Sequence, residues 1–172
     1  MPLTKQDARY AELLEAVSAL HEGALDPLGR PRADHFDRVA QLLLARDPEA
    51  SQAQIEAALV HDVIFHPGGG HSLLRKLAVD QPVIDILERI QPPPNAQYFT
   101  DIDNFTAADN AVYLEFIRTL VASGDREAIA VKLADITDTV SYLREIGSES
   151  ALRQLDLQYE PSRKLLDAAL TS

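Results

Sequence analysis

Residues 52–64, with the sequence QAQIEAALVHDVI, decide the fold class of this chain. Apolar residues recur there at the spacing of one helical face, at Ile55, Ala58 and Leu59. Asp62 comes next on that face, where another aliphatic residue is expected. Since an unpaired carboxylate in a core costs several kcal/mol, Asp62 needs a partner. The pattern predicts a helix over 52–64, capped by Ser51, that carries Asp62 inward with His61 beside it.

The same periodicity continues outward in both directions from this helix. It predicts further helices over 4–22, from 34 onward, and over 72–79, 82–90, 108–123, 126–146 and 162–170, with another turn within 149–158. Thr4 is expected to cap the first helix, with Asp7 as its capping-box partner. Helix-breaking Pro and Gly residues predict loops over 24–33 and 67–70, and the lack of a clear period predicts a loop over 95–108. No segment alternates as a strand does, so the fold class is all-α: a single-domain multi-helix bundle over 1–172.

Composition limits the classes of partner. The 172 residues are 46% hydrophobic, which suits one sizeable core, and 16 Lys and Arg against 27 Asp and Glu give a formal charge of −11. This charge disfavours duplex nucleic acid and anionic membranes, but a small phosphorylated molecule can still bind at a local site. The absence of cysteine excludes thiol catalysis and disulfides. We expect a cytoplasmic protein without a leader or membrane span, and a homo-oligomer remains open.

Two other segments break the core pattern in the same way. The apolar run Ala128–Ala134 leads directly into Asp135, and His35 begins an amphipathic helix one turn before Val39. A divalent metal would neutralise the two carboxylates, Asp62 and Asp135, and accept imidazole nitrogens as further ligands. A hydrogen-bonded core network is the alternative explanation.

Three segments together resemble a known family. HEGALDPLGRPRADHFDRVA at 21–40 is similar to the opening motif of the alarmone-hydrolase branch of HD domains. AALVHDVI at 57–64 resembles the helix that carries the family's His-Asp pair, and YLEFI at 113–117 with VKLAD at 131–135 resembles its closing segment. The order and spacing agree over roughly residues 10–146, and they imply an HD-type helical fold.

The resemblance also implies a site and an activity. Its metal ligands would be His35, His61, Asp62 and Asp135, holding one divalent ion. Manganese is the first candidate, and iron or zinc also suits these ligands. The implied function is metal-dependent hydrolysis of a nucleotide-like phosphate or pyrophosphate ester, with metal-bound water as nucleophile.

The sequence departs from the family at several positions. The family's Glu-Asp pair, which activates the attacking water, is replaced by Phe65 and His66, and its metal-helix Asn is replaced by Thr139. The residues that grip guanosine in alarmone hydrolases are replaced by Ala24, Asp26 and Pro27. These changes disfavour guanosine tetraphosphate as the substrate.

Several roles stay open at this point. His66 is a candidate catalytic base, a ligand of a second metal together with His71, or a solvated loop residue. Lys132 either stabilises phosphate charge in catalysis or offsets the buried acids. Thr139 and Arg144 are candidate substrate-binding residues, and Arg144 could instead cap its helix. The rival function is a catalytically weakened HD domain that binds or senses a nucleotide, and a domain without metal comes third.

Overall fold

The computed structural model describes residues 3–64, 66–93 and 107–171, and the side chains of 107–109 are outside the description. The described residues are helical, and their β-structure is limited to one isolated bridge between Leu25 and Pro31. The predicted all-α class is therefore confirmed. The chain divides into two compact units, 1–89 and 90–172. The single-domain organisation stays a prediction. Along the described segments, no helix is long and apolar enough to cross a membrane.

The first unit consists of five helices in its described part: α1 (Ala8–Leu20), α2 (Asp34–Arg46), α3 (Gln52–Val60), α4 (His71–Lys76) and α5 (Gln81–Arg89). Helix α3 packs against α1, α2 and α5. Its last residues are buried on every face, since Ala57, Ala58, Leu59 and Val60 are all 0% exposed. Burying one Leu or Val contributes about 1.5–3 kcal/mol, so this helix organises the core of the unit.

Helix α3 begins where the sequence predicts. The Ser51 hydroxyl accepts a hydrogen bond from the Gln54 backbone N–H at 3.2 Å, and the Gln54 side chain accepts one from the Ser51 N–H at 2.8 Å. This reciprocal capping box satisfies two backbone donors at the helix start.

The end of α3 differs from the prediction. The helix stops at Val60 and not at Ile64, and the residues from His61 onward form turns. The Val63 N–H bonds to the Val60 carbonyl at 3.0 Å, and the Val63 carbonyl accepts from Gly70 at 2.7 Å. Because the returning glycine loop binds this carbonyl, the backbone turns instead of continuing as a helix.

The start of α1 also differs. The helix begins at Ala8, and its N-cap is Asp7 and not Thr4. The Asp7 carboxylate accepts hydrogen bonds from the Thr4 backbone N–H at 2.6 Å and from the Thr4 hydroxyl at 2.8 Å. These bonds hold residues 4–7 in a separate turn that precedes the helix.

The second unit has α6 (Ala107–Ala122), α7 (Arg126–Ile146), α8 (Glu149–Gln154), a π-helical turn (Leu155–Tyr159) and α9 (Glu160–Thr171). Helix α7 packs against α6 and α9, and its bounds agree with the prediction. Asp125 caps its start by accepting from the Ala128 N–H at 3.0 Å. Gly147 ends it in the left-handed region at φ 63°. Most of the predicted 95–108 loop lies outside the described residues.

Replacing Ser51 by Ala removes one half of the capping box that begins α3. We expect the free energy of unfolding to fall by about 1 kcal/mol, the usual effect of losing a capping side chain. Urea denaturation measures this change. Ser72→Ala, at an exposed position in α4, is the control and should stay close to wild type. Equal stabilities of the two variants would contradict the capping role of Ser51.

Candidate functional site

Two histidines of the first unit meet where α2 begins and α3 ends. His35 lies in the first turn of α2, and His61 directly follows α3. Because α2 packs on α3, their rings approach each other and the two Nε2 atoms lie 3.1 Å apart. The Phe36 ring covers His61 at 5.2 Å between centroids. His61 is only 5% exposed, so its polar atoms need partners within the protein.

The protonation of His61 follows from its backbone contact. Its Nδ1 lies 2.8 Å from the Ala58 carbonyl oxygen, which can only accept a hydrogen bond. Nδ1 therefore carries the proton in the neutral ring, and the lone pair of Nε2 faces His35. Metal-binding histidines are commonly oriented in this way, with one nitrogen donating to a carbonyl and the other left for the ion. The ring nitrogens of His35 and His61, in this orientation, thus fit a divalent metal.

Asp62 is placed differently from its predicted position. Because α3 ends at Val60, Asp62 is not part of the helix face, and its side chain is 32% exposed. One carboxylate oxygen lies 3.3 Å from Nη2 of Arg32, and the other lies 3.7 Å from Nε2 of His61. The prediction of a buried Asp62 was wrong, and the buried polar residue of the pair is His61. Arg32 was not singled out from the sequence, since only the packing of the loop shows its contact.

The loop before His35 is ordered by Asp26. Its carboxylate accepts from the backbone N–H groups of Leu28 at 2.8 Å and Arg30 at 2.9 Å, and it pairs with the Arg30 side chain at 3.0 Å. Burial raises the pKa of this carboxyl, but the bonds from Arg30 and Leu28 outweigh that effect and leave it lowered. Asp26 therefore has a structural role here: it shapes the turn that leads into α2.

His66 and His21 lie beside each other in the first unit. Their ring centroids are 4.8 Å apart in an edge-on arrangement. The Gly68 backbone N–H donates to Nδ1 of His66 at 3.1 Å, and Nδ1 of His21 donates to the Val17 carbonyl at 2.9 Å. The His21 contact thus occupies one of the last carbonyls of α1. His71 is exposed at the start of α4.

The glycine run after His66 is a closed turn. The Gly69 N–H donates to the His66 carbonyl at 2.8 Å, and Gly70, at φ 76°, donates to the Val63 carbonyl at 2.7 Å. A Cβ on Gly69 would lie only 2.2 Å from the Val63 carbonyl oxygen. This position therefore requires glycine.

In the second unit, α7 carries Asp135 and Lys132 one turn apart. Lys132 Nζ lies 2.8 Å from the Asp135 carboxylate, and the two side chains are 9% and 14% exposed. Lys132 also lies 5.9 Å from the Tyr113 ring centroid and 6.0 Å from that of Phe116. Burial, and secondarily the charge of Asp135, raises the pKa of Tyr113 well above its usual value. Asp135 thus enters the core as predicted, with Lys132 offsetting its charge.

The other two predicted residues of α7 have separate partners. The Thr139 hydroxyl donates a hydrogen bond to the Asp135 carbonyl, one helical turn earlier, at 3.1 Å. Arg144 forms an ion pair with Glu160 of α9 and is 60% exposed. The end of α7 is capped by Gly147 and not by Arg144. Both roles in substrate binding stay predictions.

Comparisons with known proteins support the fold. No protein-family model matches the sequence, and no curated protein sequence matches it. Among solved structures, the chain is similar to a metazoan ortholog of SpoT, which hydrolyses ppGpp and plays a role in starvation responses. The identity is 17%, the TM-score is 0.60, and the match covers 98% of this chain and 97% of the other. The resemblance to the alarmone-hydrolase branch of HD domains is therefore confirmed at the level of the fold.

Replacing Gly69 by Ala places a methyl group against the Val63 carbonyl oxygen. We expect the free energy of unfolding to fall by about 1–3 kcal/mol, because backbone must move to make room. Gly68→Ala is the matched control. Its nearest neighbour would be the flexible Leu20 methyl at 3.2 Å, so its stability should stay within about 1 kcal/mol of wild type. Thermal unfolding compares the two, and equal effects would contradict the close approach at Gly69.

His21 should make stability depend on pH. Burial lowers its pKa below the ordinary value of 6.5, so the unfolded chain binds a proton more readily than the folded one. The contribution of neutral His21 to the free energy of unfolding is fully present above pH 6.5. It is lost as the pH falls below 6.5, by up to about 1.4 kcal/mol per pH unit. His21→Asn keeps a donor for Val17 but does not titrate. Urea denaturation between about pH 7.5 and 5 should show a shallower slope for the variant. Equal slopes would exclude His21 as the source.

Proposed function

We propose that this chain is a metal-dependent phosphohydrolase that acts on a nucleotide-like phosphate or pyrophosphate ester. The observation that carries the proposal is the pair of facing Nε2 atoms of His35 and His61, 3.1 Å apart, with His61 Nδ1 bound to the Ala58 carbonyl. A single proton or a cation between these two nitrogens gives each of them a bonding partner. The fold shared with a ppGpp-hydrolysing protein supports the same activity class.

We assign the metal to His35, His61 and Asp62, and the predicted ligand Asp135 is kept in the proposed set. Support for Asp62 comes from its carboxylate, which lies 3.7 Å from His61 Nε2. Support for Asp135 comes from its burial on α7 and from its place in the family's closing motif. Nitrogen and oxygen ligands without sulfur suit manganese first, with iron and zinc also compatible.

The chemistry divides between the ion and the protein. A divalent metal bound there would lower the pKa of water enough to supply a nucleophile at neutral pH and would offset phosphate charge. Lys132 holds Asp135 in place and is the candidate cation for the substrate's phosphate oxygens. Thr139 and Arg144 are proposed to contact the substrate, and His66, whose ring lies beside that of His21, is kept as a catalytic candidate.

The substrate is proposed to be a small phosphorylated molecule different from guanosine tetraphosphate. Asp26 stands where alarmone hydrolases grip guanosine, and its carboxylate is occupied by Arg30 and by the turn. The net charge of −11 also opposes nucleic acid duplexes and anionic membranes as partners. A cytoplasmic location and a homo-oligomeric assembly belong to the same proposal.

A second function is favoured by one specific observation. Phe65 and His66 replace the carboxylate pair that activates water in the family, while Arg32 neutralises Asp62 at 3.3 Å. A domain with this arrangement could bind or sense a nucleotide without hydrolysing it. Turnover separates the two functions.

Replacing Asp62 or Asp135 by Ala should abolish metal binding, with affinity lowered by more than about 100-fold, because each supplies a proposed ligand. Metal content after manganese loading and desalting measures this. The control is Asp34→Ala, an exposed acid next to His35 that should retain the metal. Unchanged metal in Asp62→Ala would remove Asp62 from the ligand set.

Wild-type protein with bound manganese is then offered pyrophosphate and a panel of nucleoside polyphosphates, including guanosine and adenosine alarmones. We expect release of phosphate or pyrophosphate that stops on chelation. Absence of turnover from protein that contains manganese would support the binding function instead.

A further inference from the structure

The turn that follows His66 determines which ring nitrogen carries the proton. The Gly68 backbone N–H donates to Nδ1 at 3.1 Å, so Nδ1 holds a lone pair. A neutral imidazole has one N–H, which must then lie on Nε2. In this state Nε2 donates a hydrogen bond and cannot accept a proton. A general base needs the opposite arrangement.

The contact between Gly68 and His66 belongs to a turn with several constraints. Gly69 donates to the His66 carbonyl, Gly70 donates to the Val63 carbonyl, and Gly69 has no room for a side chain. Moving the proton to Nδ1 would set it against the Gly68 N–H, two donors facing each other. The closed turn therefore stabilises one tautomer of His66.

The surroundings of His66 suit an anionic ligand. The His21 ring lies edge-on to the His66 ring at 4.8 Å between centroids. The charges of Arg32 and Asp62 also act on His21, Arg32 lowering and Asp62 raising its pKa. His66 is half-buried, and among the described residues no acceptor for its Nε2 is recorded. Arg32 is 42% exposed, so its guanidinium can contact solutes while it pairs with Asp62.

We propose that His66 donates a hydrogen bond from Nε2 to a phosphoryl oxygen of the bound substrate and does not act as the catalytic base. This rests on the proposed function, because it assigns a residue to the phosphate of the same substrate. The ligand class is a phosphate or pyrophosphate anion. A hydrogen bond to a charged oxygen strengthens binding by about 10- to 100-fold.

The tautomer is measured first, on metal-free, full-length protein labelled with ¹⁵N in its histidines. Long-range ¹H–¹⁵N correlation spectra distinguish a protonated ring nitrogen from a bare one. We expect neutral His66 to be protonated on Nε2 and neutral His61 on Nδ1, which gives an internal reference for the opposite state. A proton on Nδ1 of His66 would overturn the proposal.

Binding of inorganic pyrophosphate to the manganese-loaded protein is measured next by calorimetry. His66→Gln places an amide N–H near the position of Nε2, whereas His66→Asn reaches only the position of Nδ1. We expect Gln to bind within about 3-fold of wild type and Asn to lose about 10-fold or more. Exposed His71→Ala is the control for loss of a histidine, and thermal unfolding verifies that each variant is folded.

The outcomes separate this inference from the proposed function. Pyrophosphate binding with the Gln and Asn pattern above, but without hydrolysis, leaves the inference in place and removes the proposed function. Hydrolysis with unchanged pyrophosphate affinity in both variants removes the inference alone. Equal losses in the Gln and Asn variants, or no binding by the wild type, also overturn it. If His66→Gln binds pyrophosphate as tightly as the wild type but abolishes turnover, His66 is the base and the proposal is wrong.

Discussion

The burial of α3 from Gln54 to Val60 is the constraint on which the first unit depends. This part of the helix packs against α1, α2 and α5 and has no exposed residue, so each polar group on it needs a partner inside the protein. Glu56, 3% exposed, receives two hydrogen bonds from Arg9, at 3.1 and 2.8 Å. His61 donates to the Ala58 carbonyl. The contact that stabilises buried His61 also directs its other nitrogen toward His35, so packing and candidate chemistry share one origin.

In the second unit, a buried polar side chain is stabilised by an ion pair. Asp135 enters an apolar helix, and Lys132 one turn earlier pairs with it at 2.8 Å beside the rings of Tyr113 and Phe116. Removing either partner alone would leave a buried charge uncompensated, which costs more than the pair contributes. Stability therefore favours keeping both residues, whether or not a ligand binds there.

Backbone contacts give two histidines of the first unit opposite tautomers. A carbonyl oxygen at Ala58 leaves His61 with a bare Nε2, and an N–H at Gly68 leaves His66 with a protonated Nε2. A metal needs a bare Nε2 as its ligand, whereas an anion needs a protonated Nε2 as its hydrogen-bond donor. The backbone neighbour of each histidine therefore sets whether its Nε2 accepts or donates a hydrogen bond.

Sequence periodicity by itself determined the all-α class, the bounds of α7, the start of α3 at Ser51 and the inward position of Asp135, because these depend on local spacing and capping. Tertiary structure decided the rest. Helix α3 ends at Val60, before the turn that the Gly70 N–H closes on the Val63 carbonyl, and Asp62 is half-exposed beside Arg32, which is 30 residues away in sequence. The approach of His35 to His61, 26 residues apart in sequence, likewise depends on the packing of α2 on α3. Such contacts join segments whose approach is set by packing and loop closure, which no local pattern encodes.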